Sequence, residues 1–305
     1  AAALRDSSAS ALVKNLLVVL VWLVISGING SLVATFFRHQ ELYEDPRYIL
    51  FIHMVVNDAV QLSTTTALFV LSYTLYRIQV SVCCVFILLA VFTTRNTPLN
   101  LAAMALECYV AVCRPLRHAQ ICTARRTLLL IALIWLLCVT PDVTDLFFTL
   151  ATEPLSFFHQ SVFCLRSNIF KGPVLARKRT AFDVLYFCCV FLTLLFTYLK
   201  VLFAARALST QRTSAQKARK TILLHGAQLF MCLLSYVSPS AEVLLQLIFP
   251  GQILEIRFAN FLIVYVLPRC LSPIIYGFRD RKFRKHLKMS LQLLRCRVQG
   301  PKEAP

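Results

Sequence analysis

The chain has 305 residues, of which 58% are hydrophobic and only 15% charged, with a mean hydropathy of +0.69 and a formal net charge of +18. Soluble domains carry roughly 45–50% apolar and about 25% charged residues, so this composition excludes a soluble globular enzyme. It also disfavours a nucleic-acid binder, because no soluble domain is left to present the positive charge.

A bilayer-crossing helix needs about 20 mostly apolar residues, and seven segments qualify in chain order, at about 12–37, 48–75, 79–113, 127–149, 181–208, 216–247 and 254–277. The first apolar run is too long for the core of a secretory leader, so it is read as a span. The third and sixth are longer than a bilayer requires, which implies tilt or extension into water. The reading is an all-α membrane protein, a seven-helix bundle over residues 1–291. A short amphipathic cytoplasmic helix at 278–291 closes it, and 292–305 forms a tail. In that last helix Phe278, Phe283 and Leu287 recur among Arg279, Arg281, Lys282, Arg284, Lys285 and Lys288, which suits a helix lying on membrane lipid. Cys296 just beyond is a candidate for palmitoylation.

Short loops rich in Lys and Arg face the cytoplasm. With the N-terminus outside, Arg38, Arg47, Arg114, Arg117, Arg125, Arg126, Arg212 and the basic stretch after Tyr276 fall inside. Few basic residues are then left outside, apart from those in the long connection between the fourth and fifth spans.

Charges at bilayer depth cost about 2.5–3.5 kcal/mol on insertion scales and usually face partners within the bundle. Asp58 in the second span and Arg269 in the seventh form one proposed pair. Arg95, near the centre of the third span, lies close to Asp142 and Asp145 in the fourth, where Pro141 opens the helical ladder. Two readings of Arg95 stay open. It is a brace to Asp142, or its fork of donors is left free for a carboxylate, sulfate or phosphate ligand.

Most of the twelve cysteines lie in apolar segments and act as small hydrophobes. Cys83 or Cys84 opens the third span on the outer side, and Cys164 sits alone in the outer connection at about 151–179. An oxidising exterior permits a bridge there, and neighbouring helical positions point about 100° apart, so only one of the two can reach. That connection is long for a loop without secondary structure, which points to a functional role.

No His-Glu-x-x-His, Gly-x-Ser-x-Gly or phosphate-loop pattern occurs, and the Cys and His spacing suits no metal. No enzyme activity and no cofactor are expected. The rival reading is a transporter or channel using Asp58, Arg95 and Arg269 as a pathway; seven segments without a visible inverted repeat count against it.

Several motifs in order resemble the rhodopsin-like G-protein-coupled receptors, and the olfactory receptors among them. They are Asn29, Asp58, the stretch from Met104 to His118, Lys217-Ala218 with Thr221 and His225, and Pro268 with Ser272-Pro273-Ile274-Ile275-Tyr276. Phe36-Phe37-Arg38-His39 and Cys113-Arg114-Pro115-Leu116-Arg117-His118 look most like the odorant receptors of fish. The resemblance covers about residues 12–290. It implies a small organic odorant bound among Val91, Thr94, Arg95, Tyr236, Ser240 and Tyr265, to which the free-fork reading of Arg95 adds anionic odorants. A Cys83–Cys164 bridge would hold the outer loop over that pocket. A heterotrimeric G protein would dock at the inner end, with Glu107, Cys108, Tyr109, Lys217, His225 and Tyr276 as the switch. A light receptor is disfavoured because the seventh span has no lysine for a Schiff base.

Two departures stand out. The acidic-Arg-Tyr triplet reads Glu107-Cys108-Tyr109, and a thiol cannot replace the arginine's charge. The Asn-Pro-x-x-Tyr ending begins with Ser272, which shortens that residue's reach. Weak coupling, or a scavenging receptor that binds without signalling, is therefore the alternative.

Overall fold

The computed structural model describes residues 7–207, 212–277, 283–287 and 289; the side chains at 205–207, 212–219, 239–240, 243, 246, 250, 253, 272 and 274–277 lie outside that description. Among the described residues, six helices are long and apolar enough to cross a membrane. Span one is Ser8–Arg38, span two Pro46–Thr74, span three Val80–Cys113, span four Ala124–Thr152, span five Pro173–Ala207 and span six Arg212–Ile248. The seventh is an uninterrupted helical run over 253–277 in three parts: Ile253–Asn260, a π-helical Phe261–Val266, and Leu267–Gly277. Pro268 has no N–H and crowds the carbonyl four residues back, and the wider π turns lie directly upstream of it. Glu255, Arg257 and Arg269 make this run less apolar than the other six.

Local chemistry sets the helix starts. Ser7 accepts from the Ser10 N–H at 3.2 Å. Asp45 accepts from the Arg47 N–H at 3.0 Å with Pro46 in the first helical position, and Thr123 accepts from the Arg126 N–H at 3.4 Å. A side-chain oxygen at this position satisfies a donor that the helix itself leaves unpaired.

Span three is the central element, touching spans two, four, five and six. Pro98 interrupts its ladder, and carbonyls on that stretch take side-chain donors: Asn57 Nδ2 donates to the Thr93 carbonyl at 2.9 Å, and the Tyr186 hydroxyl donates to the Arg95 carbonyl. The largest apolar core gathers Leu32, Leu50, Met54, Leu101, Ile134 and Val190. Phe283 and Leu287, one helical turn apart, close it from below; they are the described part of the expected amphipathic helix. Cys296 and the tail lie outside the described residues. Outward, leucines and phenylalanines such as Leu20, Leu133, Leu136, Leu192 and Phe203 are exposed, the surface that lipid covers in a membrane bundle.

The connection after span four has more structure than the sequence implies. It holds short helices at Leu155–His159 and Arg166–Ile169, and a strand, Ser161–Val162, paired antiparallel with Ile78–Gln79. Span five starts at Pro173, eight residues before the expected 181. Gly172, at φ +110°, makes the turn and Pro173 suits the first helical position. Arg177, Lys178 and Arg179 therefore belong to a helix and not to a loop. Across the strand pair, Tyr76 adopts φ +59°, and the Arg77 N–H reaches the Leu75 carbonyl at 2.6 Å, a tight three-residue turn of the rare left-handed kind.

Candidate ligand and switch sites

At the end of the bundle that carries the strand pair, Cys83 is bonded to Cys164, and Cys84 is a free, buried thiol. Two residues beyond Cys164, Arg166 enters the bundle. Its Nη2 meets Asp142 Oδ1 and lies 3.5 Å from Asp145 Oδ2. Desolvation by burial pushes the Arg166 pKa down, while Asp142 pulls it back up.

Arg95 is fully buried. Its Nη1 donates to Asp142 Oδ2, and its Nη2 and Nε donate to Asp183 Oδ1 on span five at 3.0 and 3.3 Å. Its guanidinium also lies over the Phe182 ring at 5.1 Å from the centroid. Of the two sequence readings, the brace is what the geometry holds. The fork is not left open, because Asp183 occupies the side that Asp142 does not. Sequence reasoning missed Asp183; an acid one helical turn before Tyr186 in an apolar span was the available signal.

Lys178 ends the row, ion-paired to Asp145 Oδ1 and donating to the Pro141 carbonyl at 2.9 Å and to Thr144 Oγ1 at 2.8 Å. The ionic groups alternate from a partly exposed Lys178 through Asp145, Arg166, Asp142 and Arg95 to a partly exposed Asp183. Such a row ties spans three, four and five to the connection between spans four and five, and every buried charge in it has an opposite neighbour, as burial demands.

A second polar cluster joins spans two, three and seven. Arg269 donates through Nε to Gln61 Oε1 at 3.1 Å and also through Nη2, while Asp58 Oδ1 lies 3.7 Å from Nε. Asp58 and Arg269 do meet, but the hydrogen bonds go to Gln61, an amide the sequence reading passed over. Gln61 Nε2 in turn donates to Thr94 Oγ1 at 2.6 Å.

The expected ligand-site residues therefore divide. Arg95 and Tyr236 lie in the same region between spans three, five and six: Tyr236 on span six packs edge-on against Phe187 of span five at 4.6 Å, and its charge environment includes Arg95 and Asp183. Thr94 turns toward span two. Val91 packs against the apolar cluster beneath the disulfide, and Tyr265 joins a cluster shared by spans one, two and seven. Ser240 lies outside the described side chains. A separate recess of about 630 Å³, lined by Arg177, Thr180, Val184 and Cys188 among others, opens on the outer face of span five and touches none of these residues.

At the opposite end, Glu107 Oε1 accepts from His118 Nε2 at 3.0 Å, and His118 belongs to the short helix Pro115–Ile121. Cys108 and Tyr109 pack with Val201, Ile222 and Tyr198, and the Tyr109 ring meets Phe196 at 5.6 Å. His225 is buried on span six. The side chains of Lys217 and Tyr276 lie outside the described residues. His53 is not an isolated histidine: Trp135 Nε1 donates to its Nε2 at 2.9 Å, and its Nδ1 lies 3.2 Å from Asn100 Oδ1.

Seven helical passes around a central third span, a loop after span four bonded to that span, and charges held inside the bundle define a seven-helix membrane receptor. The family model of the rhodopsin-family 7 transmembrane receptors matches residues 28–276, and the chain belongs to that family. Odorant receptor 131-2 of Danio rerio is 30% identical over 277 residues, covering 90% of this chain and 85% of its own length. Among human proteins, Olfactory receptor 51D1 is 25% identical over 85% of this chain and 81% of its own length, and Olfactory receptor 13J1 is 23% identical over 68% and 67%. Within the family the chain is an odorant-type G-protein-coupled receptor of the fish kind, a multi-pass protein of the plasma membrane, and the family is one of receptors, not enzymes.

Proposed function

We propose that a small organic odorant enters from the disulfide-bearing end and binds between spans three, five and six, where Arg95, Asp183, Phe187 and Tyr236 converge. The observation that carries this reading is the bond between Arg95 and Asp183, with Phe182 under the guanidinium and the Phe187–Tyr236 ring pair beside it, a polar centre with aromatic walls. A few polar anchors in an apolar surround suit a small ligand. The N-terminus is extracellular and the tail cytoplasmic. The extracellular side provides the oxidising environment a disulfide needs, and Arg114, Arg117, Arg125 and Arg126 crowd the other end, as inner loops do. Residues 1–291 act as one receptor domain.

Ligand stabilises an arrangement the receptor already samples, and a heterotrimeric G protein docks at the inner end around Glu107, Cys108, Tyr109, Lys217, His225 and Tyr276. An anionic odorant is disfavoured, since it would have to displace Asp183 from Arg95. In cells expressing the full chain, an odorant panel should raise a G-protein reporter without uptake of the odorant. Uptake without G-protein activation would overturn the receptor reading in favour of transport. Binding without activation, converted to activation by Cys108→Arg, would identify the scavenging form.

A further inference from the structure

We infer that the odorant is a cation, a small protonated amine, and that the Oδ2 oxygen of Asp183 is its anchor; this rests on the receptor reading above. The row of alternating charges has a regular rule. Asp145 takes Lys178 on Oδ1 and Arg166 on Oδ2. Asp142 takes Arg166 on Oδ1 and Arg95 on Oδ2. Each buried carboxylate thus bridges two cations, one at each oxygen.

Asp183 stands at the end of the row and breaks the rule. Both of its bonds from Arg95 arrive at Oδ1, and no described residue donates to Oδ2. Its side chain is 24% exposed, whereas those of Asp142 and Asp145 are 2% and 0% exposed. The row is neutral with three acids and three bases. Its open terminus is therefore an acid beside accessible space, and a further cation continues the alternation that the interior already uses twice. An anion at the same place would face a carboxylate whose guanidinium partner is already engaged.

The walls fit the same chemistry. Phe182 and Tyr186 stack at 6.1 Å, and Tyr186, Phe187 and Tyr236 follow edge-to-face at 5.0 and 4.6 Å. Aromatic faces attract ammonium groups, most strongly where water is excluded, and the alkyl part of a small amine packs on the ring edges. Arg95 already uses the face of Phe182 in this way.

The test compares three odorants on one alkyl skeleton, a primary amine, an alcohol and a carboxylic acid, on the full-length receptor in cells. A fluorescence reporter of movement between spans five and six reads binding independently of the G protein, and a G-protein reporter runs alongside. The amine should act at concentrations well below those of the other two. Asp183→Asn should raise its half-maximal concentration by about a hundredfold, as loss of a charged partner at an interface does, with surface expression maintained. Asp183→Glu should recover most of the response. A receptor that answers the alcohol or the acid but no amine overturns the inference and leaves the receptor reading standing. An amine response unchanged in Asp183→Asn also overturns it. Silence to all three in both reporters, from receptor present at the surface, overturns the inference, while the receptor reading is decided separately by the wider odorant panel.

Discussion

His118 Nε2 lies 3.0 Å from Glu107 Oε1, so the acid beside Cys108 is tied to the following short helix. That contact docks Pro115–Ile121 against the end of span three, where Cys108 and not an arginine follows Glu107. A partly exposed charge-assisted bond of this kind contributes about 1 kcal/mol, a factor of about five in a two-state equilibrium. His118→Ala should therefore raise ligand-independent G-protein signalling several-fold at equal surface expression. Cys108→Arg should lower it again by giving Glu107 a second partner. Equal basal signals in the wild type and both variants would refute this lock.

Cys122 follows that short helix. Burial pushes its thiol pKa up, and the Glu107 charge adds to the effect. The thiolate is the reactive form, so labelling by a maleimide at neutral pH should be slower than for an ordinary exposed cysteine. The sign is fixed: raising the pH increases the thiolate fraction and the rate. Glu107→Gln removes the nearby negative charge and should speed labelling at a fixed pH. The check is labelling of a variant that keeps Cys122 as its one inner-end cysteine.

Trp135, His53 and Asn100 form a directional chain across spans four, two and three. The indole N–H can only donate, so His53 Nε2 accepts and its Nδ1 carries the proton toward Asn100 Oδ1; Asn100 Nδ2 then donates to the Leu50 carbonyl at 2.9 Å. Trp135→Phe keeps the ring but leaves the histidine acceptor unmet, costing about 1–3 kcal/mol. At about 2–4 °C per kcal/mol for a chain of this size, thermal unfolding in detergent should fall by several degrees. Asn100→Leu added to Trp135→Phe should cost less than the sum of the two, because both act through one imidazole.

Much of this architecture is legible in the amino-acid order, for physical reasons that differ by residue. Long apolar runs announce the first six spans, because lipid demands a closed backbone over a fixed thickness. The seventh is fainter because Glu255, Arg257 and Arg269 interrupt its hydropathy and Pro268 widens its turns. Arg95 and Asp142 can be paired from depth alone, since a buried charge at mid-membrane needs an opposite neighbour. Asp183 escapes that logic: depth shows that Arg95 requires an acid, not that two will share it. Gln61 is hidden because an uncharged amide carries no such demand, although Arg269 chooses it. The early start of span five is also obscured, since three successive basic residues read as loop until Lys178 is seen ion-paired to Asp145 and donating to Thr144 and the Pro141 carbonyl.

Arg269 tests how that amide and Asp58 share one guanidinium. Arg269 and Asp58 are both buried, so removing either leaves an unmet charge, with a cost of about 3–5 kcal/mol. Arg269→Leu and Asp58→Asn should each destabilise strongly, and the double variant should lose much less than their sum. Gln61→Leu should also weaken the receptor, and its coupling to Arg269→Leu should exceed that of Asp58→Asn, because the hydrogen bonds go to the amide. Strict additivity in either cycle, measured by thermal unfolding, would show that the pair does not interact.

The connection between spans four and five has two anchors only two residues apart, and they act on different elements. Cys164 is bonded to Cys83 on span three, closing 81 residues of chain, and a cross-link over such a length contributes about 4–5 kcal/mol on the chain-entropy account. Arg166 reaches Asp142 and Asp145 on span four. Cys83→Ser and Cys164→Ser should lower thermal stability equally, because they break the same bond, while Cys84→Ser should leave the bridge intact. Arg166→Ala should expose the loop less than loss of the disulfide does, since the bridge still pins it. It should nevertheless destabilise the bundle, because Asp142 and Asp145 each lose one of their two cations. Arg166→Lys should recover only part of the loss, a single ammonium being a poorer bridge between two carboxylates than a planar guanidinium. With both anchors removed, protease cleavage between Phe163 and Lys171 should rise by more than the two single effects combined, since either anchor alone keeps the segment seated.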